Sequence, residues 1–534
     1  MLNHKKSIFN LVSIAFLLFF FPVLFCIFVF GSEMDYNSAC KLVTLCNNKM
    51  LLLLGVAVLL LCFLFAYFTR KIKMTNKLSL IMDGCLIVIF TIVFFVNVEV
   101  CKCLNLAQGW DVSCVVGTAY SLHHEILIQN NPDDWYYSVY PNNVPITFVL
   151  YKLFNLADEM KDFHYVNDFM WVIVICLMVS VTGYFMCVSV KKITQSFSTT
   201  CIACALYIAC VCVTPWKTVP YTDMFAIMFP LLSISLYVFH YYSKNKLVRY
   251  ILWFLIFLSG FLGSLIKPTV FIVPIAIVLC EMVKAVVNLR KTWKEMVVKL
   301  SLIILAFFMY CGCKQYIYED VGYEPNKESE FTALHFLMMG LNEQSTGSFH
   351  SGDVAISGNI PLLEDRTEKQ IEVIKERLEE KGFFGYVNFL LRKMVMTFND
   401  GTFGWGREGV YTLDVYPIYK NSFDVTLIKD IFIPNYLHSG QFNTYSQAVW
   451  LLIIFCIPGF CFVDKEKREV CMPILVSLLG IIFYLMLFEA RARYLLCFLP
   501  VIIMSAALGS KQYYEGLKIA VVYICNKIKK KKIK

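Results

Sequence analysis

The sequence predicts an all-α polytopic membrane protein of about twelve transmembrane helices carrying a mixed extracytoplasmic domain, and three observations predict it. Of 534 residues, 58% are hydrophobic and 16% are charged, a balance that soluble domains do not have. The apolar residues come in blocks of about 17 to 23, the length that carries a helix across a hydrocarbon core. Short basic links join alternate blocks, as expected of cytoplasmic loops. A nuclear, secreted or purely cytosolic protein is excluded, and the net charge of +9 reads as a topology signal rather than a nucleic-acid footprint.

The first block, residues 8–30, is too long for a signal-peptide core and lacks a small-residue cleavage site, so it is read as a retained span. Blocks at 50–68 and 79–98 follow, joined by Arg70, Lys71, Lys73 and Lys77, and complete an N-terminal group of spans over 1–98. The outside segment 99–165 predicts two surface helices, at 113–128 and 143–156, each too short to cross a bilayer. A central module over 166–316 holds six blocks, at 166–188, 199–214, 224–242, 250–266, 269–285 and 300–316. Its inner links carry Lys191 and Lys192, then Lys244, Lys246 and Arg249, then Arg290, Lys291 and Lys294.

Residues 317–447 have a soluble composition and form the extracytoplasmic domain. A capping box at Thr367 to Gln370 predicts the start of a helix that runs to about residue 398 and breaks near Gly382. The last spans, at 448–463, 471–488 and 494–509, are joined by Lys465, Lys467 and Arg468. Residues 510–534 are read as a basic cytoplasmic tail, whose stretch from Lys518 to Lys534 is expected to lie along the anionic inner leaflet. With both termini cytoplasmic, about 27 Lys and Arg fall inside and about 21 outside, against about 7 and about 32 acidic residues, so the orientation obeys the positive-inside rule throughout.

The inner loops are too short for a nucleotide-binding domain, and neither a Walker motif nor a GxGxxG follows a strand pattern. The 22 cysteines lie mostly inside apolar blocks and imply no disulfide framework or zinc site. His123 and His124 are adjacent on a helix and point apart, while His335 and His350 lack ligand spacing and are assigned no role.

Four places on the outer face could carry chemistry. Asp111, in Gly109-Trp110-Asp111 just beyond a span, would be partly desolvated and suited to act as a general base; the alternative is a helix N-cap. Asp223 follows Pro220-Tyr221-Thr222 in a second outer loop and either faces the same cavity or caps the next helix. Lys267, in Ile266-Lys267-Pro268-Thr269, sits at headgroup level, where it meets a lipid phosphate or simply snorkels. Glu489, Arg491, Arg493 and Tyr494 form EARARYL at the outer junction of the last two spans. One Glu–Arg pair accounts for one guanidinium, which leaves positive charge to spare for a phosphate.

With these residues in place, the chain resembles a polytopic GT-C-fold glycosyltransferase, similar to the family 39, protein mannosyltransferase-like membrane enzymes of Gram-positive bacteria. The resemblance covers most of the chain and rests on GWD at 109–111, YPNN at 140–143, PYTD at 220–223, LIKPT at 265–269, HFLMMGLNEQSTGSFHSGD at 335–353, FNDGTFGW at 398–405 and EARARYL at 489–495. It implies that Asp111 is the catalytic base, with Asp223 assisting, and that Lys267, Arg491, Arg493 and Tyr494 bind the donor phosphate. It also implies substrate contacts from Tyr140, Asn142, Asn143, Asp400, Trp405 and Glu489.

The implied donor is a sugar on a polyprenyl phosphate, and the implied acceptor an extracytoplasmic glycan, lipid or protein reached at the bilayer surface. No nucleic acid is implied. A divalent cation between Asp111 and Asp223 is compatible with the pattern but not required by it, and no metal site is assigned. Three spans precede the catalytic loop instead of one, and no acidic residue stands directly beside Asp111, which makes protein O-mannosylation a weaker expectation than glycan or lipid modification. The rival functions are a polymerase of lipid-linked polysaccharide and a flippase or transporter. Transporters carry charge near the membrane midplane, whereas the charges here gather at the rim.

Overall fold

The computed structural model describes residues 2–31, 42–106, 109–159, 169–286, 289–410 and 423–532. Among them the chain is helical and forms no strand, so the described part of residues 317–447, expected to be a mixed extracytoplasmic domain, consists of helices and irregular turns. Eleven helices are long and apolar enough to cross a membrane, and a twelfth apolar helix, Phe197–Cys212, is shorter. Together they account for the twelve predicted blocks.

In chain order the α-helices are α1 (Leu2–Val29), α2 (Asn48–Thr69), α3 (Asn76–Lys102), α4 (Trp110–His123), α5 (Asp134–Val139), α6 (Val144–Glu159) and α7 (Met170–Thr194). There follow α8 (Phe197–Tyr207), α9 (Thr222–Phe225), α10 (Met228–Tyr242), α11 (Lys246–Ile266), α12 (Ile272–Val286) and α13 (Leu289–Asp320). The chain closes with α14 (Ala333–Gly340), α15 (Ser351–Gly358), α16 (Leu363–Phe398), α17 (Val425–Phe432), α18 (Ser439–Cys456), α19 (Arg468–Leu487) and α20 (Leu499–Lys532).

Several spans begin where a polar side chain satisfies free backbone amides at the helix start. Asn47 accepts from the amide of Met50, Thr75 from that of Leu78, and Asn245 from those of Leu247 and Val248. Between these caps the apolar run leaves the backbone no partner but itself, which makes a helix the only stable choice in lipid. Inside the bundle, α20 is the central post. Its apolar window is 94% buried, against 6% for α13, which faces outward. Ser505, Ala506, Ala507 and Ser510 of α20 are buried, and these small side chains let its neighbours approach closely.

Several ionisable groups in the spanning helices are paired. Lys191 of α7 meets Asp83 of α3, and Glu281 of α12 is held by Lys284 and by Lys299 of α13. At the opposite, loop-bearing end, Asn48 donates to the Ile27 carbonyl and to Asn399 Oδ1, while Gln447 donates back to Asn48. That polar knot ties α1, α2 and α18 to the end of α16.

Two local expectations are corrected. α16 starts at Leu363 rather than at the Thr367 capping box; the Leu363 amide donates to Glu328 Oε2 at 2.9 Å, and Glu364 and Asp365 fill the first turn. The tail is no separate surface segment, because α20 runs unbroken from Leu499 to Lys532. At 34 residues it spans about 51 Å, well beyond a hydrocarbon core of roughly 30 Å. The expected break does occur at Gly382, where φ is 58° and ψ −177°, a region open essentially to glycine alone. Nothing lies within 4 Å of a Cβ placed there, so Gly382→Ala meets only backbone strain. The expected result is a loss of about 1–3 kcal/mol in stability, read as a lowered melting temperature of the purified protein.

Candidate functional site

A cavity of about 580 Å³ lies at the loop-bearing end of the bundle. Its walls come from the start of α4, the 140–143 turn, the 266–269 connection, α14, Glu408 and the 484–494 segment. It is lined by Trp110, Tyr140, Tyr221, Phe331, Phe336, Phe349, Tyr484 and Tyr494 as well as by charged groups, an arrangement suited to a ligand with both apolar faces and polar edges.

Asp111 stands in the first turn of α4 and is not its cap; that position belongs to Gly109, whose backbone is extended and makes no side-chain bond. The carboxylate lines the cavity and its Oδ2 accepts the Tyr221 hydroxyl at 3.1 Å. Burial pushes the Asp111 carboxyl up from its ordinary value, with Arg493, the Tyr221 hydroxyl and Arg491 opposing. Behind it, Asn143 Nδ2 donates to the oxygens of Tyr136 and Tyr221 at 2.5 and 3.3 Å. The YPNN turn therefore orients Tyr221 and, through it, Asp111.

Asn143 is 2% exposed and spends its Nδ2 on that chain, so it orients the carboxylate from its own place in the cavity wall. Tyr140 and Asn142 line the cavity beside it. Trp110 adopts φ 41°, a left-handed conformation that is costly for a bulky residue. Its indole N–H donates to the Glu408 carbonyl at 2.8 Å and its ring meets Tyr221 edge-on at 5.0 Å. These contacts hold the strained residue and the adjoining Asp111 in place.

The charged cluster differs from the sequence expectation. Arg491 is bound by Glu489 at 2.8 Å and by Glu408 at 2.9 Å. Arg493 lies 3.1 Å from Glu408 and 3.6 Å from Asp223, with its guanidinium 4.3 Å above the Trp110 ring. Lys267 turns inward to Asp223 at 2.6 Å and sits 4.9 Å from the Tyr494 ring, so it does not snorkel to the headgroups. The expected spare positive charge is absent: Asp223, Glu408 and Glu489 balance Lys267, Arg491 and Arg493. Burial pushes the Glu408 carboxyl up, but Arg493 and Arg491 hold it below its ordinary value. A donor is still on offer, since Arg493 Nη1 is buried and has no hydrogen-bond partner among the described residues.

Asp223, expected to face substrate or to cap a helix, does neither. It is 2% exposed, it is not part of the cavity wall, and the cap position of α9 belongs to Tyr221. Its two cationic partners occupy it, and the described residues contain no cluster of three His, Cys, Asp or Glu able to hold a metal. A cation shared with Asp111 therefore does not fit.

Asp400 and Trp405 also lie away from the cavity wall. Asp400 accepts from the amides of Thr402 and Gly404, a side-chain turn that folds the 400–404 loop. Trp405 is buried against Trp216 and donates to the Phe432 carbonyl at 2.7 Å. Both build the platform that carries Glu408 to the arginines. Glu408 itself escaped sequence reasoning because its partners lie more than eighty residues away (|i−j| 83 for Arg491), and Gly-Arg-Glu-Gly reads as a turn.

The roof is pinned by a buried lysine that the sequence also left unmarked. Lys393 Nζ donates to the carbonyls of Gly340, Met486 and Phe488 at 2.7, 3.1 and 2.6 Å, joining the end of α14 to the end of α19 directly before Glu489. The join is close: a Cβ on Gly340 would stand 2.6 Å from the Leu487 carbonyl oxygen.

A family profile described as conserved hypothetical integral membrane protein matches residues 4–514. No curated protein matches the chain, and no solved structure does.

Proposed function

The chain belongs to that family of integral membrane proteins, and we propose that it is a membrane glycosyltransferase that moves a sugar from a polyprenyl-phosphate donor to an extracytoplasmic acceptor, with the loop-bearing end of the bundle outside. The acceptor class is a cell-surface glycopolymer, a glycolipid or a protein. One observation carries this reading. Asp111 lines the cavity, is raised by burial and has no cation at ion-pair distance among the described residues, while the neighbouring Asp223, Glu408 and Glu489 are each neutralised by a base. A carboxylate left free beside an ion-paired cluster is what proton removal from an acceptor hydroxyl requires.

In this reading the acceptor oxygen attacks the anomeric carbon and gives its proton to Asp111. The bond from that carbon to the phosphate oxygen breaks, and the electron pair leaves with polyprenyl phosphate. Arg491 and Arg493 stabilise the charge that develops on the leaving group, with Arg493 Nη1 as the free donor. Lys267 and Tyr494 frame the same side. Since the leaving group is already a stable anion, one base suffices, and a single displacement inverts the anomeric configuration.

The test is a transfer assay on the protein in nanodiscs, supplied with polyprenyl-phosphate hexoses and a membrane acceptor fraction, following release of free polyprenyl phosphate. Release supports the reading; a flippase would move the lipid intact, and no release with any donor overturns the proposal. The pH profile gives a second check. The proton-accepting form of Asp111 dominates above its raised pKa and is lost as pH falls through it, so the acid limb of kcat/KM is expected above the usual carboxylate value of about 4. A limb at or below that value would remove Asp111 from the role.

A further inference from the structure

Resting on that reading, we propose that His335 holds the sugar of the donor lipid, offering its Nε2–H to a ring hydroxyl. His335 of α14 lines the cavity and is fully buried, at 0% exposed. Its Nδ1 lies 2.7 Å from Ser357 Oγ, and that oxygen already accepts from Gln370 Nε2 at 2.8 Å. With one lone pair taken by Gln370, the Ser357 hydroxyl can donate its proton to Nδ1, and the tautomer proposed is the one with the ring's own proton on Nε2.

That Nε2 is buried and has no hydrogen-bond partner among the described residues, a state native interiors avoid unless a ligand or water completes it. Burial lowers the imidazole pKa to about 4, with Glu489 and Asp353 opposing, so the ring is a neutral donor at neutral pH and better matched to a hydroxyl than to a phosphate.

The surroundings point the same way. The His335 ring packs on Phe331 at 4.2 Å and Phe336 at 5.1 Å, and Phe331 meets Tyr140 at 5.5 Å. Flat apolar walls with one neutral donor suit a sugar, which has apolar C–H faces and polar edges. The next residue, Phe336, accepts the Glu489 amide through its carbonyl at 3.0 Å, and Glu489 holds Arg491. His335 thus stands beside the basic cluster that would hold the phosphate, where the group bonded to that phosphate must lie.

The experiment compares binding of bare polyprenyl phosphate and of its glucosyl, mannosyl and galactosyl phosphate esters to the full-length protein in nanodiscs, read by intrinsic tryptophan fluorescence. Wild type is expected to hold at least one ester more tightly than the bare lipid. His335→Ala is expected to weaken that ester about tenfold and the bare lipid by less than about twofold, the scale of one lost hydrogen bond. Ser357→Ala, which frees the tautomer, should cause a smaller loss in the same direction, and it decides the matter if His335→Ala does not fold.

Equal weakening of both lipids, or of neither, overturns the role of His335 while leaving glycosyl transfer standing. Failure of wild type to bind any of the four overturns both. A wild type that binds the bare lipid as tightly as every ester overturns the sugar contact alone.

Discussion

Asp111→Asn is expected to lower the rate of sugar transfer by about 10²- to 10⁴-fold, the contribution of a positioned general base, with the melting temperature and donor affinity of the protein close to wild type. The amide keeps the size of the carboxylate and can still accept the Tyr221 hydroxyl, whose oxygen lies 3.1 Å from Oδ2. Removing a buried carboxylate that has no cationic partner among the described residues also leaves no base unpaired, so stability should not suffer. The substitution therefore separates proton removal from folding. Release of polyprenyl phosphate at the wild-type rate by a well-folded Asp111→Asn protein would return Asp111 to a structural part at the start of α4.

Glu408→Gln should behave in the opposite manner. Glu408 Oε2 is shared between Arg491 Nη1 at 2.9 Å and Arg493 Nε at 3.1 Å, and neutralising it leaves two guanidiniums adjoining with only Glu489 and Asp223 at their far sides. Breaking a buried ion pair by removing one partner costs roughly 3–5 kcal/mol. A marked drop in melting temperature is the expected result, accompanied by loss of transfer. The double variant Glu408→Gln with Arg491→Gln removes one acid and one base, and should recover part of the stability because the two sites are coupled. Equal melting temperatures for wild type and Glu408→Gln would show that the cluster is hydrated enough to screen its own charges.

Much of the site is legible in the amino-acid sequence. Asp111, Lys267, Arg491, Arg493 and Tyr494 stand in short motifs at the ends of apolar blocks, and all five line one cavity together with Tyr140, Asn142 and Glu489. They can be found because the length of a span dictates where it ends, and polar residues at one end of several spans must share a face. Asp223, Asp400 and Trp405 sit in motifs of the same kind, yet they are spent on internal partners. Nothing in a residue's type distinguishes a polar group that meets a ligand from one that holds its neighbour in position. Glu408 and Lys393 carry no such signal for a related reason: each is an ordinary residue in an unremarkable local pattern until its distant partners are known, and His335, though it opens the 335–353 motif, has no ligand spacing to mark it.

The sequence by itself determined the helical class, the place of the spanning segments and the break at Gly382. These are local consequences of a solvent without hydrogen-bonding groups and of a backbone conformation that only glycine tolerates. It did not determine where α16 begins or that α20 continues through the tail, since helix ends respond to partners such as Glu328, which lies 35 residues from the amide it accepts. Tertiary structure alone decided the charge balance of the cavity. Which carboxylate neutralises which guanidinium depends on how the platform of residues 400–409 packs against the junction of α19 and α20, and Coulomb energy falls off with distance through space, not with separation along the chain.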